Sequence, residues 1–143
     1  MTTVSNAIIA WLKTFNPEDY GKMKSIETDI LPAKAETYSL AKEPVINKRT
    51  SITGKVTATE HYTLMARLSS QTASDRKGNV EWGELLEEWV EDQNRSGNFP
   101  AVCGAVVRSV SVTTPFCIGG VMGTNDSVYQ LTISIKYEKE RAL

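Results

Sequence analysis

The chain has 143 residues, 41% of them hydrophobic and 23% charged, with a formal net charge of −1. That is ordinary globular composition, and the length suffices to bury one core without disulfide or metal staples, so a single domain over residues 1–143 is expected. The near-neutral charge argues against a dedicated nucleic-acid binder, which carries a basic surplus. No apolar run approaches the roughly 18 residues that span a bilayer. The opening MTTVSNAIIAWLK lacks the basic leader and small-residue cleavage site of a signal peptide, so the chain is expected to stay in the cytoplasm that makes it.

The first expected element is a helix over Val4 to Phe15. Val4, Ala7, Ile8, Trp11, Leu12 and Phe15 form its apolar stripe, Thr3 caps it, and Asn16-Pro17 ends it. Residues 17–36 are mixed and polar, an irregular connection in which Ile30, Leu31 and Pro32 pack.

From Thr37 the period becomes strand-like. Tyr38 and Leu40 alternate with Ser39 and Ala41 until Pro44 interrupts, as it does near the end of an edge strand. Arg49–Thr53 and Lys55–Leu68 read as a hairpin turning near Gly54. In its second arm Tyr62, Leu64, Ala66 and Leu68 share a face opposite Thr63, Met65 and Arg67. Ser69–Gly78 is polar and reads as a loop.

Asn79–Pro100 then carries an amphipathic helix. Trp82, Leu85, Leu86, Trp89 and Val90 make the apolar stripe, Asn79 caps the start above Glu81 and Glu84, and Gly97 with Pro100 stops it. Glu87, Glu88, Glu91, Asp92 and Arg95 form its solvated side. Val106, Val110 and Val112 face one way along the next strand, against Ser109 and Ser111. Pro115–Ser127 reads as a long apolar hairpin loop. The final strand alternates Tyr129, Leu131, Ile133, Ile135 and Tyr137 with Gln130, Thr132, Ser134, Lys136 and Glu138, the signature of a sheet wet on one side. The order helix, three strands, helix, two strands gives an α+β fold. We expect a two-layer sandwich, a mostly antiparallel sheet of about five strands with both helices packed on one face.

No chemical constellation emerges. Cys103 and Cys117 are not a CxxC pair and are expected to be small buried hydrophobes. His61 is the only histidine, so a zinc site would need scattered carboxylates. A lone strand histidine is more often a cross-strand residue than a general base. Thr53-Gly54-Lys55 fails the phosphate-loop pattern at Arg49 and Val56, and Gly119, Gly120 and Gly123 are loop glycines. We therefore expect no catalytic residue, no cofactor and no metal. Two stretches suit contacts instead. The loop with Phe116, Ile118, Val121 and Met122 is an exposed apolar patch or folds back over the core. The hairpin with Lys48, Arg49 and Lys55 offers threonine-rich strand edges to a neighbouring subunit.

TYSLAKEP at Thr37–Pro44, EEWVEDQNRSGNFP at Glu87–Pro100, YQLTISIKYEKE at Tyr129–Glu140 and SNAIIAWLKTF at Ser5–Phe15 together resemble a family encoded in the head–tail gene clusters of long-tailed bacteriophages and prophages. Its members are labelled minor capsid proteins and are similar to tail terminators. The resemblance implies a homo-oligomeric ring, typically a hexamer, that caps the tail tube and presents a surface for the filled head. Its implied partners are further copies of itself, the tail tube protein and a neck or head-completion protein, with no membrane and no sequence-specific nucleic acid. The implied location is the tail end of the virion, assembled in the bacterial cytoplasm. Glu substitutions at Phe116 or Ile118 are expected to block assembly and leave the fold intact. The alternatives are a neck or head-completion protein binding the portal side and, from another class, a small enzyme or inhibitor module using His61 and the Glu-rich helix.

Overall fold

Helix α1 (Val4–Leu12) begins where the Thr3 hydroxyl accepts from the Asn6 amide at 3.2 Å, as its sequence predicts. The computed structural model describes residues 3–15, 26–31, 37–122 and 125–140, apart from the side chains of residues 45, 46 and 120–122. Ala7, Ile8, Trp11 and Leu12 are buried along the expected stripe; the helix ends at Leu12, short of the expected Phe15, which is buried just beyond it. Within the irregular connection, Glu27–Thr28 forms a two-residue strand β1, parallel to β2 (Thr37–Thr50). Nothing in a two-residue stretch announces a strand; pairing alone makes it one. Ile30 is exposed rather than packed, and Pro32 lies outside the described residues.

β2 runs straight through Pro44, so the two strand segments expected at Thr37–Ala41 and Arg49–Thr53 are one. The proline falls where the register against β3 (Val56–Ser69) shifts, between Lys42 and Ile46. It also falls beyond the residues that β1 covers, so its missing N–H interrupts no outer ladder. The turn closes through Ser51 N–H to the Lys55 carbonyl at 2.8 Å, with Gly54 at φ 91°. β3 buries Tyr62, Leu64, Ala66 and Leu68 on one face, as expected.

The second helix starts seven residues early, cap to cap. α2 spans Ala73–Ser96, capped by Thr72 and Asp75, whose side chains reciprocally satisfy each other's backbone N–H groups. Asn79 is therefore no cap. It is buried in the second turn, and its amide donates to the Ser69 carbonyl at 2.8 Å and toward the Tyr129 hydroxyl at 3.4 Å. The C-terminal reading holds, with Gly97 left-handed at φ 75°. Trp82, Leu86 and Val90 are buried, whereas Leu85 is exposed.

β4 (Val106–Met122) and β5 (Asp126–Lys139) make one long hairpin. The segment expected as a loop from Pro115 is thus mostly strand. β4 hides this by shifting register four times against β5. Each shift changes the side-chain parity, so Val107 is buried with Val110 while Val106 points outward, 54% exposed. β5 needs no correction: Tyr129, Leu131, Ile133, Ile135 and Tyr137 are all buried.

The sheet has five strands in the order β1-β2-β3-β5-β4, antiparallel except for β1 with β2. Both helices lie on the face that carries Tyr62, Leu64, Leu131 and Ile133, giving the expected two-layer α+β sandwich. Trp82 is the meeting point, its ring 6.1 Å from Phe15, 5.9 Å from Tyr38 and 5.5 Å from Phe116. Trp11 lies tilted against Trp89, ring centroids 4.6 Å apart, and donates its indole N–H to the Asn98 carbonyl at 2.9 Å, tying α1 to the end of α2.

Gly83 is where α2 meets β4: a Cβ there would lie 2.0 Å from the Phe116 ring. In an open helix Gly→Ala gains about 1 kcal/mol, but overpacking costs about 1–3 kcal/mol. We predict that Gly83→Ala lowers the urea midpoint, and that the same change made in a Phe116→Ala background does not. A Gly83→Ala chain about 1 kcal/mol more stable than wild type would show that the Phe116 ring moves aside at no cost.

Candidate functional site

On the helix-covered face, Glu60 is the one carboxylate among the buried residues described, at 4% exposure. It lies two residues before Tyr62, so strand alternation aims it inward. Its oxygens accept from Tyr62 Oη at 2.8 Å, from Tyr137 Oη and from Lys42 Nζ at 3.0 Å. Burial pushes its pKa up, but the donors Tyr137, Lys42 and Tyr62 outweigh that and hold it below the ordinary 4.5. Both phenols are pushed up, first by burial and then by Glu60 itself. The arrangement buries a charge under three donors, two on Oε1 and one on Oε2. The expected pattern of residues omitted it, although its parity with Tyr62 was the available signal.

The opposite face of the sheet is polar. At its β2–β3 hairpin end Asn47, Arg49, Thr57, Thr59, Lys136 and Glu138 line a shallow basin. Register sets the rows: Arg49 pairs with Thr57 and Thr57 with Glu138, while Asn47 pairs with Thr59 and Thr59 with Lys136. Glu138 is held by Lys55 at 3.0 Å and Arg108 at 3.0 Å, and these two keep its carboxyl below the usual range. Lys55 is thus occupied inside the subunit. Arg49 and Lys136 are exposed and make no ion pair among the described residues. Lys48 pairs with Ala58 and so projects from the other side. The expected basic group divides accordingly, Arg49 on the outer face, Lys48 on the inner, Lys55 spent on Glu138.

The expected apolar patch divides as well. Phe116 is half-buried, its ring stacked on Tyr129 at 5.2 Å and edge-on to Trp82. It belongs to the core rim, not to a loop tip. Ile118 pairs with Tyr129 and stays 52% exposed. Val121 and Met122 pair with Ser127 and Asp126; their side chains lie outside the described part of the structure. Glu87, expected to be solvated, instead accepts the Phe116 N–H at 2.7 Å, and Asn94 accepts the Val110 N–H at 3.0 Å. Both bonds cap the free edge of β4 from α2. Cys103 and Cys117 are exposed, not buried: one sits in a turn and the other faces outward from β4. His61 lies on the outer face opposite Ser134. Among the described residues no group of three or more His, Cys, Asp or Glu is placed to hold a metal, and no helix is long and apolar enough to cross a membrane.

No protein-family model matches the chain, and no curated protein matches it.

Two predictions follow from this placement. Phe116→Glu should cost several kcal/mol, because it drives a charge against Trp82 and Tyr129, whereas Ile118→Glu should leave the thermal midpoint nearly unchanged. This revises the expectation that both would spare the fold, and a thermal melt of each variant checks it. For Glu60 the folded-state pKa is the lower one. Its stabilisation is therefore complete above the unfolded value near 4.5 and is lost as pH falls below it. Wild type should lose more urea resistance between pH 6 and pH 3.5 than Glu60→Gln does; equal losses would assign the acid sensitivity elsewhere.

Proposed function

We propose that the chain is a structural protein of the head–tail junction of a long-tailed bacteriophage or prophage. In this reading it is a tail terminator that caps the tail tube as a ring, six subunits by the family resemblance, and offers the surface on which the head docks. It acts by shape and contact rather than by catalysis.

The observation that supports the reading most is the pair of broad open surfaces on opposite sides of a well-packed sandwich. The outer sheet face carries Asn47, Arg49 and Lys136, and the outer side of α2 carries Glu84, Glu88 and Glu91. A closed ring needs such non-identical faces, because a heterologous contact propagates from one subunit to the next until the rotation closes. The titratable groups gathered inside, Glu60 with Tyr62 and Tyr137, are consumed by packing. The stretches that carry the family resemblance fall on structural positions: the first half of β2 with its bulge, the C-terminal half of α2 with its Gly97 stop, and the core strand β5.

Co-expression with the tail tube and neck proteins encoded beside the gene tests the proposal. The terminator reading predicts rings on tube ends in negative stain and a free or tube-released species of roughly 95 kDa for six chains of 15.8 kDa. Recovery with the portal-side protein alone would establish the neck alternative. Recovery with neither, alongside intact tubes, would overturn the structural reading.

A further inference from the structure

The net charge of −1 conceals a segregation. Glu84, Glu88 and Glu91 lie along one exposed stripe of α2, with Leu85 beside them at 39% exposure. None of the three carboxylates has a partner among the described residues. The stripe points away from Trp82, Leu86 and Val90, hence away from the sheet. On the far side of the sheet, Arg49 and Lys136 flank the threonine-lined basin, its one carboxylate already neutralised by Lys55 and Arg108. Val106, 54% exposed, closes the Arg49–Thr57–Glu138 row on the β4 side.

We infer that this outer sheet basin receives the acidic stripe of α2 from a second copy of the chain. The inference rests on the ring reading above and says which surfaces make the ring. Spacing agrees with charge. Arg49 and Lys136 are two strands apart and two residues out of step, about 12 Å by ordinary sheet dimensions. Glu84 and Glu91 are two helical turns apart, about 10 Å. One cation therefore meets each end of the stripe, with Glu88 over the hydroxyls of Thr57 and Thr59 between them. Leu85 and Val106 supply an apolar contact on each side. The two surfaces lie on opposite sides of one subunit, so the contact is head-to-tail and repeats.

Charge reversal tests this directly. Arg49→Glu with Lys136→Glu makes one variant, Glu84→Lys with Glu91→Lys the other. All four positions are exposed and unpaired, so both variants should fold, which circular dichroism checks. Light scattering at low salt should find wild type assembled, each variant at the mass of one chain, and their equimolar mixture assembled again. The mixture succeeds because each variant's reversed surface fits the other's. Variants that assemble as wild type does would overturn the inference and leave the ring reading standing on other surfaces. Wild type that stays a single chain at low salt and high concentration would also overturn it, and tube capping in the co-expression experiment then decides the ring reading separately. A mixture that stays monomeric after both variants have lost assembly would assign the losses to something other than this contact.

Discussion

The position of Trp82 is the constraint on which the rest of the structure depends. Its ring is fully buried and touches Phe15 after α1, Tyr38 of β2 and Phe116 of β4, so one side chain fixes two helices and both flanks of the sheet. Tilted and edge-on aromatic pairs of this kind contribute about 0.5–1.5 kcal/mol each beyond the area they bury. Its indole N–H finds no acceptor among the described residues, a cost of about 1–3 kcal/mol that packing must exceed. The absent side chain at Gly83 is the other half of the arrangement, since it lets Phe116 close over the same ring. With Trp82 in place α2 has no freedom to roll, and its carboxylate stripe is held facing away from the sheet.

The same seating lets α2 guard the edge of the sheet. Unpaired strand edges invite association with other chains. Along β4 the N–H groups of Val110 and Phe116 are taken by Asn94 and Glu87, and Pro115 has none to offer. At the opposite side, β1 covers Ser39 and Leu40, after which Pro44 and the register shift break the β2 edge. The β4 edge is thereby blunted at Val110 and Phe116, and the β2 edge at Ser39 and Leu40. The hairpin end of β2, beyond the register shift, has no strand beside it among the described residues, so that edge and the broad faces are both surfaces on which subunits can meet.

How far the sequence foretells this differs from element to element, for physical reasons. α1 and the two central strands β3 and β5 are legible because a single period controls them and one face is fully buried. Gly97 is legible because a left-handed residue ends a helix in a recognisable way. The start of α2 is not, because Asn79 imitates a cap while the true one, Thr72 with Asp75, lies in a stretch that is polar throughout. β4 is opaque because repeated register shifts scramble its parity, and Pro115 and its glycines imitate a loop. β1 exists only through its neighbour. Among the site residues, the exposure of Arg49 and Ile118 follows from their positions, but the splitting of each expected group between two faces depends on register, which hydropathy alone does not encode. Glu60 shows the reverse case: its parity with Tyr62 did encode burial, and a charged residue on an apolar face was the signal to follow.

Charge in the proposed ring governs specificity more than strength. Exposed ion pairs contribute about 0–1 kcal/mol each, so Arg49 and Lys136 against Glu84 and Glu91 do not hold subunits together by themselves. What they supply is orientation and a faster encounter, while wrong registers bring carboxylate stripe against carboxylate stripe and are rejected. Leu85 and Val106 add a small apolar contact to each junction, and closure adds the rest. The last subunit binds at two junctions at once, so its second contact forms at the high effective concentration of an intramolecular event. Weak junctions of this design favour complete rings over fragments, and a tail tube that aligns the subunits favours them further.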